Sequence, residues 1–173
     1  SLENIHKVID PLFLDDLKTE LEQIKKISAK KTRKLKLFEF QSKIANLKFL
    51  DPACGSGNFL TETYLSLRRL ENEMISLYFD GAYMMNLGDP IKVSIENFYG
   101  IEINDFAVSV AATALWIAES QMWHETENLI QFNGEFLPLK TNNNIHNNNA
   151  FDIDWQDVVK AAELNYIFGN PPF

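Results

Sequence analysis

Cysteine is almost missing from this chain: Cys54 is the only one in 173 residues. One thiol excludes an internal disulfide and a multi-cysteine zinc site, and it fits a reducing compartment. No metal is expected. Long apolar runs are missing as well. No stretch of about 18 apolar residues occurs, and no charged-then-apolar leader is visible, so neither a membrane span nor export is expected. Cytoplasmic residence is the expectation. Positive charge is in deficit, with 16 Lys and Arg against 24 Asp and Glu for a net charge of −8. That balance argues against these residues forming a nucleic-acid-binding surface by themselves. No internal repeat occurs.

What is present is enough apolar material for a core, 46% of the chain, in a length that suits one domain. Residues 1–46 read as a helical segment. There, Leu17, Leu21 and Ile24 recur at helical spacing among alternating acids and bases. The basic cluster Lys30, Lys31, Arg33, Lys34 and Lys36 has two readings, a phosphate contact or a solvated helix face. The second is favoured, because the flanks are acidic and no aromatics are interleaved.

Residues 47–173 read as an α/β core. "LKFLDPA" (47–53) is a short apolar run stopped by Asp-Pro, the form of a buried parallel strand. "NFLTETYLSLRRLENEMISLYF" (58–79) is an amphipathic helix, with Leu60, Tyr64, Leu67, Leu70, Met74 and Tyr78 one or two turns apart. The Gly- and Asn-rich stretch 80–90 reads as a loop. "NFYGIEI" (97–103) is a second strand, followed by Asn104 or Asp105 as the N-cap of an Ala-rich helix. A brief third strand is expected near 145–150, next to a run of asparagines. A short helix or turn follows in "DWQDVVKAAE", and "LNYIFG" (164–169) is a fourth strand. The alternation predicts an open parallel sheet with helices on both faces, joined by right-handed crossovers. Ligands of such sheets bind beyond the carboxyl ends of the strands.

Three motifs fall at those ends. In "DPACGSGNFL", Gly55 and Gly57 let the backbone approach a ligand, and the following helix N-terminus points amide donors at it. A tight turn with no ligand stays open. The dinucleotide fingerprint fails, since Leu60 stands where its third glycine belongs, and no G-K-[ST] of a P-loop is present. Glu102 closes the second strand, where an acid can accept both hydroxyls of a ribose. It lies well beyond the ~20-residue offset of a plain NAD site. Last comes Asn170-Pro171-Pro172-Phe173. Two prolines cannot continue a helix or a central strand, so a turn is one reading. The other is a stiff loop in which the Asn170 amide oxygen and the Pro171 carbonyl grip both hydrogens of an exocyclic amine. Phe173 would then offer a π-face to a planar ring.

Taken in order, "FLDPACGSGNFL", "GIEI", "NAF" and "GNPPF" resemble the S-adenosylmethionine-dependent N6-adenine DNA methyltransferases with their gamma-type motif order. "DPLFLDDL" before the first motif and "NAFDIDW" before the last resemble, more narrowly, the MmeI-like and type IIG restriction–modification enzymes. The resemblance covers nearly the whole chain. It implies a Rossmann-like class I methyltransferase core in three layers, here strands 1–4 preceded by helices. It further implies that Asp51, Pro52, Ala53, Cys54, Gly55, Gly57, Asn58 and Phe59 hold the methionine part of S-adenosylmethionine. Glu102 takes the ribose hydroxyls and Ile103 packs on the adenine. Asn149 meets the adenine amino group with Ala150 beside it, and a shift of one residue along the asparagine run puts Asn148 there instead. Cys54 lines the turn as a small residue and is no nucleophile. Catalysis is implied for Asn170, Pro171, Pro172 and Phe173, acting on an adenine flipped out of duplex DNA.

The resemblance also implies further strands and a target-recognition domain, neither of which is in this sequence. The expectation is therefore a truncated core that does not methylate DNA alone, binds cofactor weakly and touches DNA mainly through other regions. Two alternatives stand beside it. One is a methyltransferase of protein glutamine or RNA, which shares the Asn-Pro-Pro-aromatic loop. The other is a non-catalytic cofactor-binding module.

Overall fold

A computed structural model describes residues 1–79, 90–130 and 144–171. Most of the loop expected at 80–90, the stretch 131–143, and the pair Pro172 and Phe173 lie outside the described residues. The chain divides into two compact units. One holds Ser1–Asn46 with the described parts of 66–93 and 121–136; the other holds Leu47–Leu65, Ser94–Ser120 and the described parts of 137–173.

The first unit is helical. α1 (Leu2–Ile9) runs into a π-helical turn over Asp10–Leu14, then α2 (Asp15–Lys25) and α3 (Lys30–Ala45) follow. Pro11 has no N–H to continue the α pattern, and the widened turn falls on it. Leu17, Leu21 and Ile24 of α2 are buried, as are Leu37, Phe40 and Ile44 of α3, at the spacing that puts them on one helix face. The basic cluster at the start of α3 is largely occupied within the unit. Lys36 pairs with Glu39 at 2.7 Å, the Lys34 ammonium lies 4.8 Å from the Tyr78 ring centroid, and Arg33 reaches the Ile27 carbonyl at 3.5 Å.

This unit also holds a buried polar network that no sequence motif announces. Arg68 and Glu71 are both fully buried and pair with each other. Glu71 Oε1 accepts from Gln41 Nε2 at 2.7 Å and from the Lys92 N–H at 2.7 Å, while Arg68 Nη2 donates to Thr126 Oγ1 at 2.8 Å. Two charges survive there because hydrogen bonds take up most of what water would have supplied.

The second unit holds the sheet. β1 (Phe49–Asp51), β2 (Phe98–Glu102), β3 (Ile145–Asn147) and β4 (Tyr166–Ile167) are all parallel, in the order β3-β2-β1-β4. That order is the first part of a doubly wound sheet, with the reversal between β1 and β4. Each expected strand exists but is shorter than its apolar run. β1 is three residues rather than seven, β3 stops at Asn147, and β4 keeps two of its six. Ladder pairing, not hydrophobicity, sets the strand ends.

Phe49 and Leu50 are fully buried, as expected of a strand covered on both faces. The register sets Phe49 beside Phe98 and Tyr166, and its ring stacks on both at 5.2 and 5.4 Å. On the opposite face Leu50 and Ile101 form a cluster with Val158 and Val159, the last residue and the C-cap of α6 (Trp155–Val158).

α4 (Asn58–Phe79) and α5 (Asp105–Ile130) link the strands, and each contributes to both units. α4 has the predicted bounds. Asn104 is the N-cap of α5, its Oδ1 accepting the Ala107 N–H at 3.0 Å. No helix among the described residues is long and apolar enough to cross a membrane, and no metal-binding group of acids, histidines and cysteine occurs among them.

Candidate functional site

The site assembles where β1, β2, β3 and β4 end on one rim of the sheet. Past β1 the chain turns sharply. Gly55 and Gly57 sit at φ +53° and +76°, a region that costs other L-residues roughly 1–2 kcal/mol. Gly57 is further constrained by its neighbour, because a Cβ there would stand 2.9 Å from the Ala111 Cβ. Around Gly55 nothing lies within 4 Å of the same position, which leaves the backbone open to a ligand.

The turn is pinned to β2 by the Cys54 N–H, which donates to the Ile101 carbonyl at 3.0 Å, and by the Gly55 N–H, which donates to Glu102 Oε2 at 2.9 Å. Glu102 Oε1 takes the Asn104 N–H at 2.9 Å. Both oxygens of Glu102 are thus oriented, and each keeps a lone pair for a hydroxyl. α4 starts directly after the turn and offers the amides of its first residues, the arrangement that favours a carboxylate or phosphate.

Asp51 lies at the bottom of the rim, 1% exposed, with Oδ1 accepting the Ala53 N–H at 3.1 Å. Burial pushes its carboxyl up to about 7; the Ala53 hydrogen bond opposes this, and the charge of Glu102 adds to it. Cys54 is buried too, and its thiol is pushed up to about 12 by burial and by Asp51 and Glu102. A thiol that stays neutral is a poor nucleophile. Its sulfur lies over Gly100, where an added Cβ would stand 2.8 Å away.

β3 delivers the asparagine run to the same rim. The Asn148 N–H donates to the Glu102 carbonyl at 3.0 Å, and Asn147 Nδ2 donates to the Ile103 carbonyl at 3.0 Å. Both candidates are held by the backbone: Asn148 Oδ1 accepts from the Asn149 N–H at 2.8 Å, while the Asn149 carbonyl accepts from Asp152 at 2.9 Å and its Oδ1 from Phe151 at 3.1 Å. Trp155 Nε1 donates to the Ala150 carbonyl at 2.8 Å and closes that loop. Beside it Ile103 is 70% exposed and Phe151 96% exposed, two large apolar side chains left uncovered at one rim.

β4 brings the last motif. The Phe168 N–H continues the ladder by donating to the Leu50 carbonyl at 3.1 Å, and the Phe168 ring lies 5.9 Å from both Phe49 and Phe59. Gly169 then passes against Asp51, and Asn170 and Pro171 follow, both exposed. The glycine turn, Glu102, Asn149 and Asn170 therefore share one rim. Nothing in the sequence signals the approach of Gly169 to Asp51, which only the pairing of β4 with β1 creates. In chemical terms the rim offers two carboxylates, one of them buried, a set of amide donors and exposed apolar side chains. It suits a ligand that joins a cationic group and a carboxylate to a diol and a flat ring.

Residues 24–173 match the protein family described as MmeI, DNA-methyltransferase domain. The DNA methyltransferase A of Bacillus subtilis (strain 168) is 42% identical over 179 residues, covering 100% of this chain and 19% of that protein. The adenine-specific methyltransferase PglX of Streptomyces coelicolor is 31% identical over 72 residues, 42% of this chain and 5% of that one. A solved structure of the type IIL restriction–modification enzyme MmeI in complex with DNA superposes with a TM-score of 0.90 at 40% identity. It covers 100% of this chain and 22% of its own. This chain spans about a fifth of the length of the first relative and of the solved structure.

Proposed function

This chain belongs to the MmeI DNA-methyltransferase domain family, and from that premise we propose that it carries the cofactor turn and acceptor loop of a restriction–modification DNA methyltransferase. The donor in this reading is S-adenosylmethionine, and the acceptor is the exocyclic N6 of an adenine in duplex DNA. The observation that carries it is the meeting of the glycine turn and the Asn170 loop at one rim, through Asp51 and Gly169. The relatives favour DNA over protein or RNA as the substrate, and PglX favours adenine. A DNA substrate and a reduced thiol fit the cytoplasm.

The residues of the rim suit the cofactor. The amides of the turn and of the first turn of α4 would take its carboxylate, and Asp51 would balance its positive charge. Glu102 would accept the two ribose hydroxyls. Ile103 would cover one face of the adenine, and Asn149 with Ala150 would meet its amino edge. When bound, S-adenosylmethionine supplies a methyl group on a cationic sulfur.

The chain's own work falls to the acceptor loop. An adenine must first leave the stack, at a cost of a few kcal/mol, and an aromatic platform returns about 1–3 kcal/mol. Phe173 is assigned that platform. The Asn170 side-chain oxygen and the Pro171 carbonyl accept the two N6 hydrogens. Amine hydrogens held this way favour a pyramidal nitrogen whose lone pair is no longer shared with the purine ring. Two consecutive prolines in the sequence fix two φ angles directly after Asn170, which would pre-set that geometry before the base arrives. Asn170 suits that role because it is exposed at the rim, where an incoming base can reach its amide.

The test uses the complete protein in a host without adenine methylation, with its DNA digested to nucleosides for mass spectrometry. N6-methyladenine is expected with the unsubstituted protein and lost with Asn170→Ala, while S-adenosylhomocysteine affinity by calorimetry changes less than about threefold. Unchanged methylation in Asn170→Ala refutes the role, and methylation confined to cytosine refutes the target.

A further inference from the structure

Gly169 differs from the two glycines of the turn. Gly55 and Gly57 are the glycines that occupy the left-handed region among the described residues, so at 169 the backbone asks for no special freedom. What it asks for is space. A Cβ built there would lie 2.4 Å from Asp51 Oδ1 and 3.1 Å from its Cγ, well inside van der Waals contact. Asp51 has little room to yield, since its side chain is buried and Oδ1 is held by the Ala53 N–H. On the other side the loop is equally tied. Phe168 is fixed by its N–H to the Leu50 carbonyl, and its ring lies against Phe59, the second residue of α4.

We propose that Gly169 is a positioning residue: its missing side chain lets the backbone ahead of Asn170 rest on the Asp51 carboxylate, so that the cofactor turn sets where the amine-orienting atoms stand. The contact joins the two halves of the reaction centre, because Asp51 opens the turn that receives the donor and Gly169 directly precedes the residue that receives the acceptor. An added methyl at 169 must displace one or the other. Displacements near 1 Å cost roughly 100-fold in rate when reacting atoms must align. The inference rests on the methyltransferase reading given above.

A double-mutant cycle in the complete protein tests it, read by single-turnover methyl transfer to DNA and by thermal melts. Gly169→Ala is expected to slow transfer by about 10-fold to 100-fold with S-adenosylhomocysteine affinity within about threefold. Asp51→Ala lowers activity in its own right, and in that background Gly169→Ala is expected to cost less than about threefold, since the clashing oxygen is gone. If Asp51→Ala leaves no measurable turnover, the melts decide: the drop in melting temperature caused by Gly169→Ala should shrink by at least half in the Asp51→Ala background. Equal losses in both backgrounds overturn the contact and leave the activity standing. No N6-methyladenine from the unsubstituted protein overturns the activity and takes the inference with it.

Discussion

At the scale of single residues, Asp51 is a carboxyl whose surroundings oppose its charge. It titrates near 3.8 in an unfolded chain and at about 7 when folded, chiefly through burial. Below 3.8 both states carry the proton and nothing is lost. As the pH rises toward 7 the unfolded chain releases its proton while the folded one keeps it, so stability falls, then levels off above 7. The loss amounts to at most about 4 kcal/mol. Glu102 is the charged group that adds to the shift, and Cys54 beside it stays neutral throughout. Asp51→Asn is therefore expected to raise the melting temperature of the ligand-free protein at pH 8 and to change it little at pH 4. A lower melting temperature at pH 8 contradicts this. A cationic ligand reverses the preference, so cofactor binding near pH 6.5 should release protons in calorimetry across buffers of different ionisation heat. Asp51→Asn should abolish that release.

Gly57 makes a second prediction at this scale. An alanine there meets both an unfavourable φ of +76° and the Ala111 side chain of α5. Strain of about 1–2 kcal/mol and overpacking of about 1–3 kcal/mol add up to a few kcal/mol lost. Denaturant midpoints for Gly57→Ala check it, and loss of cofactor binding should accompany the shift.

At the scale of elements, α4 was the most legible part of the sequence, because a 22-residue amphipathic period leaves no strand-like reading. The strands were legible in kind and order but not in extent. Leu47, Pro52 and Ala53 extend the expected run of β1 without adding to the paired register. Less visible was the charge inside α4. Arg68 lies one turn beyond Tyr64 and Glu71 one turn beyond Leu67, so both fall on the apolar stripe. In sequence, however, an Arg–Glu pair at this spacing looks like a solvated surface pair. Its burial was set by distant partners, Gln41, Lys92 and Thr126. Removing one member leaves a buried charge without its partner, so Glu71→Gln should destabilise by roughly 3–5 kcal/mol in urea unfolding. A cost under about 1 kcal/mol, the size of an exposed pair, contradicts that expectation. In the site, the glycine turn, Glu102 and Asn170 were legible as motifs. Trp155 and Gly169 were not, since their parts depend on a hydrogen bond and a close approach that no local pattern encodes.

At the scale of the whole molecule, a net charge of −8 and a chain about a fifth as long as two of its relatives point the same way. If the protein acts on DNA as proposed, these acidic units are expected to supply little of the phosphate neutralisation. The basic start of α3 serves its own unit, as the Lys36–Glu39 pair and the Lys34–Tyr78 contact indicate. Replacing Lys31 and Lys36 by Gln in the complete protein should therefore change the slope of log affinity against log salt by less than about 0.5. Were both lysines bound to phosphates, the slope would change by roughly 1.8.

The donor turn and the acceptor loop are assigned to one rim, and a crystal structure of the complete protein with S-adenosylhomocysteine and target DNA tests this directly. The ribose hydroxyls are predicted on Glu102, with the sulfur between the glycine turn and Asn170. An extruded adenine should have its N6 within hydrogen-bond reach of the Asn170 side chain and the Pro171 carbonyl. A nucleoside bound away from Glu102, or an Asn170 turned from the adenine, contradicts it.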